Sequence, residues 1–286
     1  MNIICRLRAL LAVILIAGAC AAAQTPGASA EKIATVLGQN IHFFEGGQGP
    51  TVILLHGLGA VKEIWLGSIP ALANSYHAYA IDQIGFGHSD KPLLDYRIAT
   101  YTDFLYGFMQ SQHIPKATLV GNSLGGWIAL DFAARYPDMV DKLVLVDSAG
   151  IPFQGAGPVV NLNPSSLAGT RTLLEALFYD KKIVTDDFVQ QVFVNHMRNN
   201  DAYTIQRTMA GFASENQFED KKLASVRVPT LVVWGREDEL LSLAYGEKLR
   251  DSIPGAKMVV FDQCGHVPQI EKPQEFNRAV VDFLGK

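Results

Sequence analysis

Cysteine is scarce in this chain. Three in 286 residues cannot build a disulfide framework, so stability has to come from a packed core. Positive charge is also short. Lys and Arg number 24 against 28 Asp and Glu, a formal charge of -4, which argues against a nucleic-acid partner, because phosphate binding needs a basic face. The seven histidines never fall within four residues of one another, so no H-x-x-x-H pair exists. No G-x-x-x-x-G-K-[ST] loop is present either, and the sequence implies neither a metal nor a cofactor. Internal repeats, low-complexity tracts and long runs of like charge are missing too. What is abundant is apolar side chain, 49% of residues, which excludes a disordered chain. The length allows one large domain or two small ones.

The long apolar run that does exist stands at the front. Arg6 and Arg8 precede Ala9 to Ala19, almost wholly apolar, and Cys20-Ala21-Ala22-Ala23 follows. A positive segment, a short apolar stretch and an A-x-A site read as a secretory signal peptide over 1–23. The run is short for a membrane span, which needs about 20 residues. The expectation is therefore an exported protein, periplasmic or extracellular, with no stable membrane span in the mature chain. An uncleaved anchor, or a lipid on Cys20, is the alternative. Residues 24–30 read as a linker. Without 1–23 the chain has 22 basic against 28 acidic residues, a charge of -6, and Cys264 as its one cysteine.

Beyond the linker, apolar runs alternate with helical periodicity. Ile33–Leu37 and Ile41–Glu45 read as a hairpin around Gly38. Strands are expected at Thr51–Leu55, Tyr76–Asp82, Ala117–Gly121, Leu143–Asp147, Thr230–Trp234 and Lys257–Phe261. Helices are expected at Lys62–Asn74, Thr102–Gln112, Leu124–Tyr136 and Pro273–Leu284. This alternation predicts an α/β fold with a mostly parallel sheet and helices on both faces. The stretch 151–226 breaks the rhythm with helical pieces at Ser166–Tyr179, Asp186–Met197 and Tyr203–Ala213. It reads as a helical cap inserted between two core segments, 31–150 and 227–286, over the sheet edge where such folds bind ligands.

The chemistry centres on Gly121-Asn122-Ser123-Leu124-Gly125. A G-x-S-x-G that ends a strand and opens a helix makes a sharp turn that lifts the serine above the sheet. Ser123 is the candidate nucleophile. A serine needs a base, and the base needs an orienter. His266 and Asp238 each follow a strand at the same sheet edge and are the candidates. Asp147, at the end of Leu143–Asp147, competes for the orienter role, and Glu237 is a weaker stand-in. The backbone N–H groups of Leu58 and Leu124 are the candidate oxyanion donors, with Gly57 second to Leu58. His56 reads as a structural hydrogen-bonder. Cys264 and Trp127 read as packed side chains. Phe153, Leu174, Phe178, Phe193 and Met209 could line an apolar pocket, though core packing suits most of them.

Five ordered motifs carry a resemblance: His56–Gly59 (HGLG), Asp82–Pro92 (DQIGFGHSDKP), GNSLGG at 121–126, WGRED at 234–238 and CGHVPQIEKPQEF at 264–276. From about Ile33 to Leu284 the chain resembles the α/β-hydrolase superfamily, whose triad order is Ser, Asp, His. The Asp82–Pro92 stretch looks like the branch that holds haloalkane dehalogenases, epoxide hydrolases, esterases and the meta-cleavage-product C–C hydrolases. The first two normally use an Asp nucleophile, where this chain has Ser123. The C–C hydrolases are closer in GNS-x-GG and CGH-x-x-Q-x-E-K-P. Their cap typically carries an Arg-Trp pair for a dienoate acid, and an ungapped count from Thr185 puts Val192 and Phe193 there. Val267 stands where they often have Trp. Without that Arg the substrate carboxylate loses its partner. The resemblance therefore implies first a serine hydrolase of a small-molecule ester (a carboxylesterase or small lipase), and second a C–C bond hydrolase. A non-catalytic ligand-binding protein of the same fold is third. The oligomeric state stays open.

Overall fold

The computed structural model describes residues 31–152, 160–212 and 221–285, and these fold around one eight-stranded sheet. Strands β1 (Lys32–Val36) and β2 (Gln39–Gly46) form an antiparallel hairpin. β3 (Thr51–Leu55), β4 (His77–Ile81), β5 (Ala117–Asn122), β6 (Val140–Val146), β7 (Thr230–Gly235) and β8 (Lys257–Phe261) follow. The order is β1-β2-β4-β3-β5-β6-β7-β8. β2 pairs antiparallel with β4, and every later pairing is parallel.

The helices are α1 (Ile69–Leu72), α2 (Ile98–Ser111), α3 (Leu124–Arg135), α4 (Leu167–Leu177), α5 (Asp186–Asn199), α6 (Ala202–Phe212), α7 (Leu243–Ser252), α8 (Pro268–Glu271) and α9 (Pro273–Leu284). Side chains alternate across a strand, so a strand covered on both faces must be apolar at every position. On β3, Ile53 and Leu55 join one cluster with Leu105 and Phe108 of α2 and Trp127 of α3. Val52 and Leu54 join the other, with Ile69 and Leu72 of α1 and Phe276 and Val280 of α9. The expected α/β class is observed.

Two expected helices are corrected. The stretch Lys62–Asn74 is a 3-10 turn at Lys62–Trp65 followed by the four-residue α1. Its periodicity is interrupted because the Lys62 side chain is drawn inward onto Asp82, and Pro70 opens a new helix rather than continuing one. Helix α2 starts at Ile98, four residues before the expected Thr102. Thr100 and Thr102 lower the local helix propensity, but Thr102 is buried and bonds Ile98 O and Asp131 Oδ2.

Between β6 and β7 the described residues contain helices α4, α5 and α6 and no strand. The segment is anchored where it leaves the sheet: the Ile151 N–H donates to Tyr245 Oη of α7 at 2.8 Å, and the Tyr245 hydroxyl donates to Ile151 O. Phe212 of α6 stacks on Trp127 with ring centroids 5.0 Å apart, and Thr208 of α6 bonds the Tyr101 hydroxyl at 2.7 Å. Among the described residues no helix is long and apolar enough to cross a membrane. The expected leader (1–23), linker (24–30) and Phe153 lie outside the described residues.

Candidate active site

Ser123 stands between β5 and α3 with φ 54° and ψ −116°. A residue with a side chain is costly there, and the surroundings hold it in place. Its N–H donates to Val146 O at 3.0 Å, and its carbonyl accepts from Gly126, Trp127 and Ala149 N–H. Such a tight turn leaves no space for neighbouring side chains. A Cβ on Gly121 would lie 2.2 Å from Gly125 O, and one on Gly125 would lie 2.3 Å from Leu55 O. The turn is therefore built by glycine at positions where the backbones touch. Leu124 opens α3, so its N–H belongs to the unpaired first turn of a helix, where partial positive charge collects.

His266 and Asp238 are brought together by parallel neighbours β7 and β8. Both are buried, at 3% and 7% exposure, and Nδ1 of His266 lies 2.7 Å from Oδ2 of Asp238. Oδ1 of Asp238 accepts from Leu240 N–H at 2.8 Å and Leu241 N–H at 3.0 Å, which fixes the carboxylate's angle. With Nδ1 engaged, Nε2 is the ring nitrogen left for chemistry. Glu237 is engaged elsewhere: its Oε2 accepts from Cys264 N–H at 3.1 Å. Cys264 is fully buried; burial first, then the nearby carboxylates of Glu271 and Asp147, push its thiol up, so it stays protonated and unreactive.

The loop after β3 lies against the serine. A Cβ on Gly57 would come 3.2 Å from Ser123 Cβ, so the backbone of this loop passes directly beside the elbow. Among the described residues, the Leu58 and Leu124 N–H groups donate to no backbone acceptor. His56 is structural, as expected. Its Nδ1 contacts Gly57 O at 2.8 Å, and its Nε2 accepts the Gln83 N–H at 3.0 Å. That pattern needs the neutral ring with its proton on Nδ1, and burial pushes its pKa down. The Gln83 amide closes the bracket on His56 O at 2.7 Å.

Three contributors were not singled out in the sequence. Asn122, inside the G-x-S-x-G, donates from Nδ2 to Val146 O and His266 O, both at 3.1 Å, and so ties the histidine loop to the elbow. Glu271 accepts from Gly265 N–H at 2.7 Å and Tyr179 N–H at 2.8 Å. Together with His266 N–H donating to Leu177 O at 2.8 Å, this joins the histidine loop to the end of α4. Lys62 is completely buried and bonds Asp82, the residue before Gln83. The resemblance quoted Asn122 and Glu271 only as motif letters; their roles needed the fold.

Of the expected pocket residues, Leu174 and Phe178 are buried in an apolar cluster that also holds Val184, Val189, Val192 and Val267. Met209 packs against the main core, and Phe193 is half-buried. Side chains of metal-ligating type also gather at Glu31, His42 and His88, within 4.8 Å of one another. There the Glu31 carboxylate already meets the Lys62 ammonium at 2.7 Å and His88 Nδ1 at 2.8 Å.

A strand-to-helix serine elbow beside a buried His–Asp pair, at the edge of a mostly parallel sheet, defines a hydrolase. The chain belongs to the α/β hydrolase fold family, whose model matches residues 50–273. It is 34% identical over 278 residues to the 2-hydroxymuconate semialdehyde hydrolase of Pseudomonas sp. (strain CF600), covering 92% of this chain and 96% of that one. The meta-cleavage product hydrolase of Pseudomonas fluorescens IP01 superposes with a TM-score of 0.81 at 31% identity, over 89% of this chain and 97% of that one. A bacterial membrane phospholipase A superposes with a TM-score of 0.82 at 27% identity, over 98% and 91% of the two chains. Within the family, the chain falls in the branch of the meta-cleavage product hydrolases.

Proposed function

We propose that this chain hydrolyses a carbon–carbon bond next to a ketone in a meta-cleavage-type product, with Ser123 as nucleophile, His266 as general base and acid, and Asp238 as its orienter. The observation that carries the choice of bond is the end-to-end similarity to the 2-hydroxymuconate semialdehyde hydrolase. This reverses the order in which the sequence ranks ester and C–C cleavage. His266 takes the Ser123 proton through Nε2, and the alkoxide adds to the ketone carbon. Leu58 and Leu124 N–H groups stabilise the oxyanion. With the substrate in its diketo tautomer, collapse of the tetrahedral adduct breaks the C–C bond and passes its electrons into an enolate conjugated with the second ketone, which His266 protonates. Water, activated by His266, then releases the acyl group as a carboxylic acid. In this reading α4, α5 and α6 form the lid over the substrate.

A second reading, ester hydrolysis, is favoured by one specific feature. Val192 and Val267, where the resemblance expects Arg and Trp, sit in the same apolar cluster. That cluster offers a neutral chain an apolar surface, and neither Val192 nor Val267 can supply the charge that Arg would give a carboxylate. The deciding experiment compares kcat/KM on a vinylogous dienoate diketone with that on p-nitrophenyl esters of graded acyl length. Faster turnover of the diketone is expected. Turnover of esters alone would sink the C–C reading and leave the ester one standing.

Export is part of the same proposal. Arg6, Arg8 and the apolar run to Ala19 support a leader that ends at Ala23. Amino-terminal sequencing of the protein from its native host is expected to begin at Gln24, and a chain beginning at Met1 would refute cleavage.

A further inference from the structure

A second buried carboxylate lies beside Asp238. Asp147 follows β6 and is fully buried. Its backbone takes φ 40°, a left-handed conformation that is costly for a residue with a side chain, and its N–H donates to Val233 O at 2.9 Å. Oδ1 accepts the Gly235 N–H at 2.9 Å. Oδ2 is buried and meets no donor among the described residues. A carboxylate oxygen of Asp147, one of Asp238 and a ring nitrogen of His266 all lie within 4.8 Å of one another.

Both oxygens of Asp238 are already taken, Oδ1 by two backbone N–H groups and Oδ2 by the His266 ring. Two ionised carboxylates side by side in a dry site repel each other, and one proton between them removes the repulsion. That proton also gives the orphaned oxygen of Asp147 something to donate. We propose that Asp147 is a positioning residue, carried as the neutral carboxylic acid, whose O–H donates to the Asp238 carboxylate and fixes it toward His266. The proposal rests on the reading of Ser123, His266 and Asp238 as the reacting set.

The surroundings agree. Burial first, then the charge of Asp238, the hydrogen bond to it and the charge of Glu271, push the Asp147 carboxyl well above the usual range, against the Gly235 N–H alone. The titratable groups facing it are Asp238 from the loop after β7, His266 and Cys264 from the loop after β8, and Glu271 of α8. Asp147, which competed on sequence with Asp238 for the histidine, thus supports the residue it competed with.

The test uses the full chain and a fluorophosphonate, whose rate of capture by Ser123 is followed from about pH 5 to 8. Asp147→Asn keeps the arrangement, because its amide N–H can donate to Asp238 and its oxygen can accept from Gly235. Its capture rate and the acid limb of its pH profile are expected to match the parent. Asp147→Ala loses the donor. Its rate is expected to fall roughly 10- to 100-fold through misplacement of the base, and its acid limb to move to higher pH as the unshared charge of Asp238 holds the imidazolium proton more firmly. An acid limb that moves to lower pH in D147N would mean that Asp147 is an anion in the parent, and overturns the proposal. An unchanged D147A does the same.

Should D147A fail to fold, infrared difference spectra of the parent against D147N decide. A protonated-carboxyl band in the parent at neutral pH, lost in D147N, supports the neutral acid, and its absence overturns it. A parent that never captures the probe overturns the reacting set, and with it the positioning role, whether or not the infrared band is present. A parent that captures the probe but lacks the band overturns the neutral acid alone and leaves the reacting set standing, so the two failures are told apart.

Discussion

Ser123→Ala is expected to lower turnover about a millionfold, as removal of a nucleophile from an interdependent triad does, which is about 8 kcal/mol of transition-state stabilisation. The fold is expected to survive, because alanine keeps the Cβ that the φ of 54° already accommodates, and the surrounding backbone bonds do not involve the hydroxyl. Labelling by a fluorophosphonate is expected in the parent chain and not in S123A. The strain itself can be separated from the chemistry. Ser123→Gly is equally inactive but releases a conformational cost of about 1–3 kcal/mol, partly offset by about 0.4–1 kcal/mol of extra unfolded-chain entropy. S123G is therefore expected to unfold at a denaturant midpoint no lower than that of S123A. A S123A chain that turned substrate over at the parent's rate would show that another group attacks the carbonyl.

That separation of strain from chemistry bears on how the site can be read from sequence. The elbow was legible because its cause is local: a strand, a serine hemmed by glycines, then a helix, all within a dozen residues. His266 and Asp238 were legible for a related reason. Each follows a buried apolar strand, and parallel strands deliver their C-terminal loops to one edge. What stayed hidden is held by pairs far apart in the chain. Asn122 bonds the carbonyl of a residue 144 positions later, and Glu271 meets the Tyr179 N–H, 92 positions earlier. Neither partnership leaves a spacing to detect. Lys62 was missed because a lysine is ordinarily solvated, and the same inward turn broke the helix expected over Lys62–Asn74. Asp147 was seen, but only as a rival acid, because sequence cannot show that its carboxyl lies beside Asp238 and not in place of it. The inserted helices were legible as helices, whereas the apolar surroundings of Val192 and Val267 emerged only once α4, α5 and the histidine loop were packed together.

Asp82→Ala is expected to destabilise the fold by about 3–5 kcal/mol, the cost of breaking a buried ion pair from one side. Asp82 and Lys62 are both fully buried. Asp82 Oδ2 accepts from Lys62 Nζ at 2.8 Å and His88 N–H at 2.9 Å, and Oδ1 accepts from Lys62 N–H at 2.8 Å. A Cβ on Gly87 would overlap this carboxylate at 2.2 Å, so glycine is what lets the chain wrap around it. Alanine at 82 would orphan two N–H groups and leave the ammonium to Glu31 and Glu63, at 2.7 and 3.1 Å. For a chain of this size the loss amounts to a fall in Tm of roughly 10 °C. Removing both partners in Lys62→Met with Asp82→Ala is expected to cost less than the sum of the two single changes. Strictly additive losses would show that the pair is not coupled.

The same cluster predicts the acid side of stability. The Glu31 carboxyl is held down to about 2 from 4.5: burial pushes it up, but the bonds and charges of Lys62 and His88 outweigh that. A depressed carboxylate stabilises fully above its unfolded value and loses that contribution as pH falls through its folded one. Glu31→Gln is therefore expected to flatten the decline in stability between pH 4.5 and about 2, read from denaturant midpoints across that window. A decline as steep as the parent's would mean that Glu31 is not held by the cluster. Because Asp82 precedes Gln83, whose N–H and side-chain amide bracket His56, D82A that remains folded is also expected to lose catalytic rate. The loop that carries Leu58, proposed as an oxyanion donor, would then keep the Gln83–His56 bracket but lose the Lys62 and His88 contacts that fix Asp82 next to it.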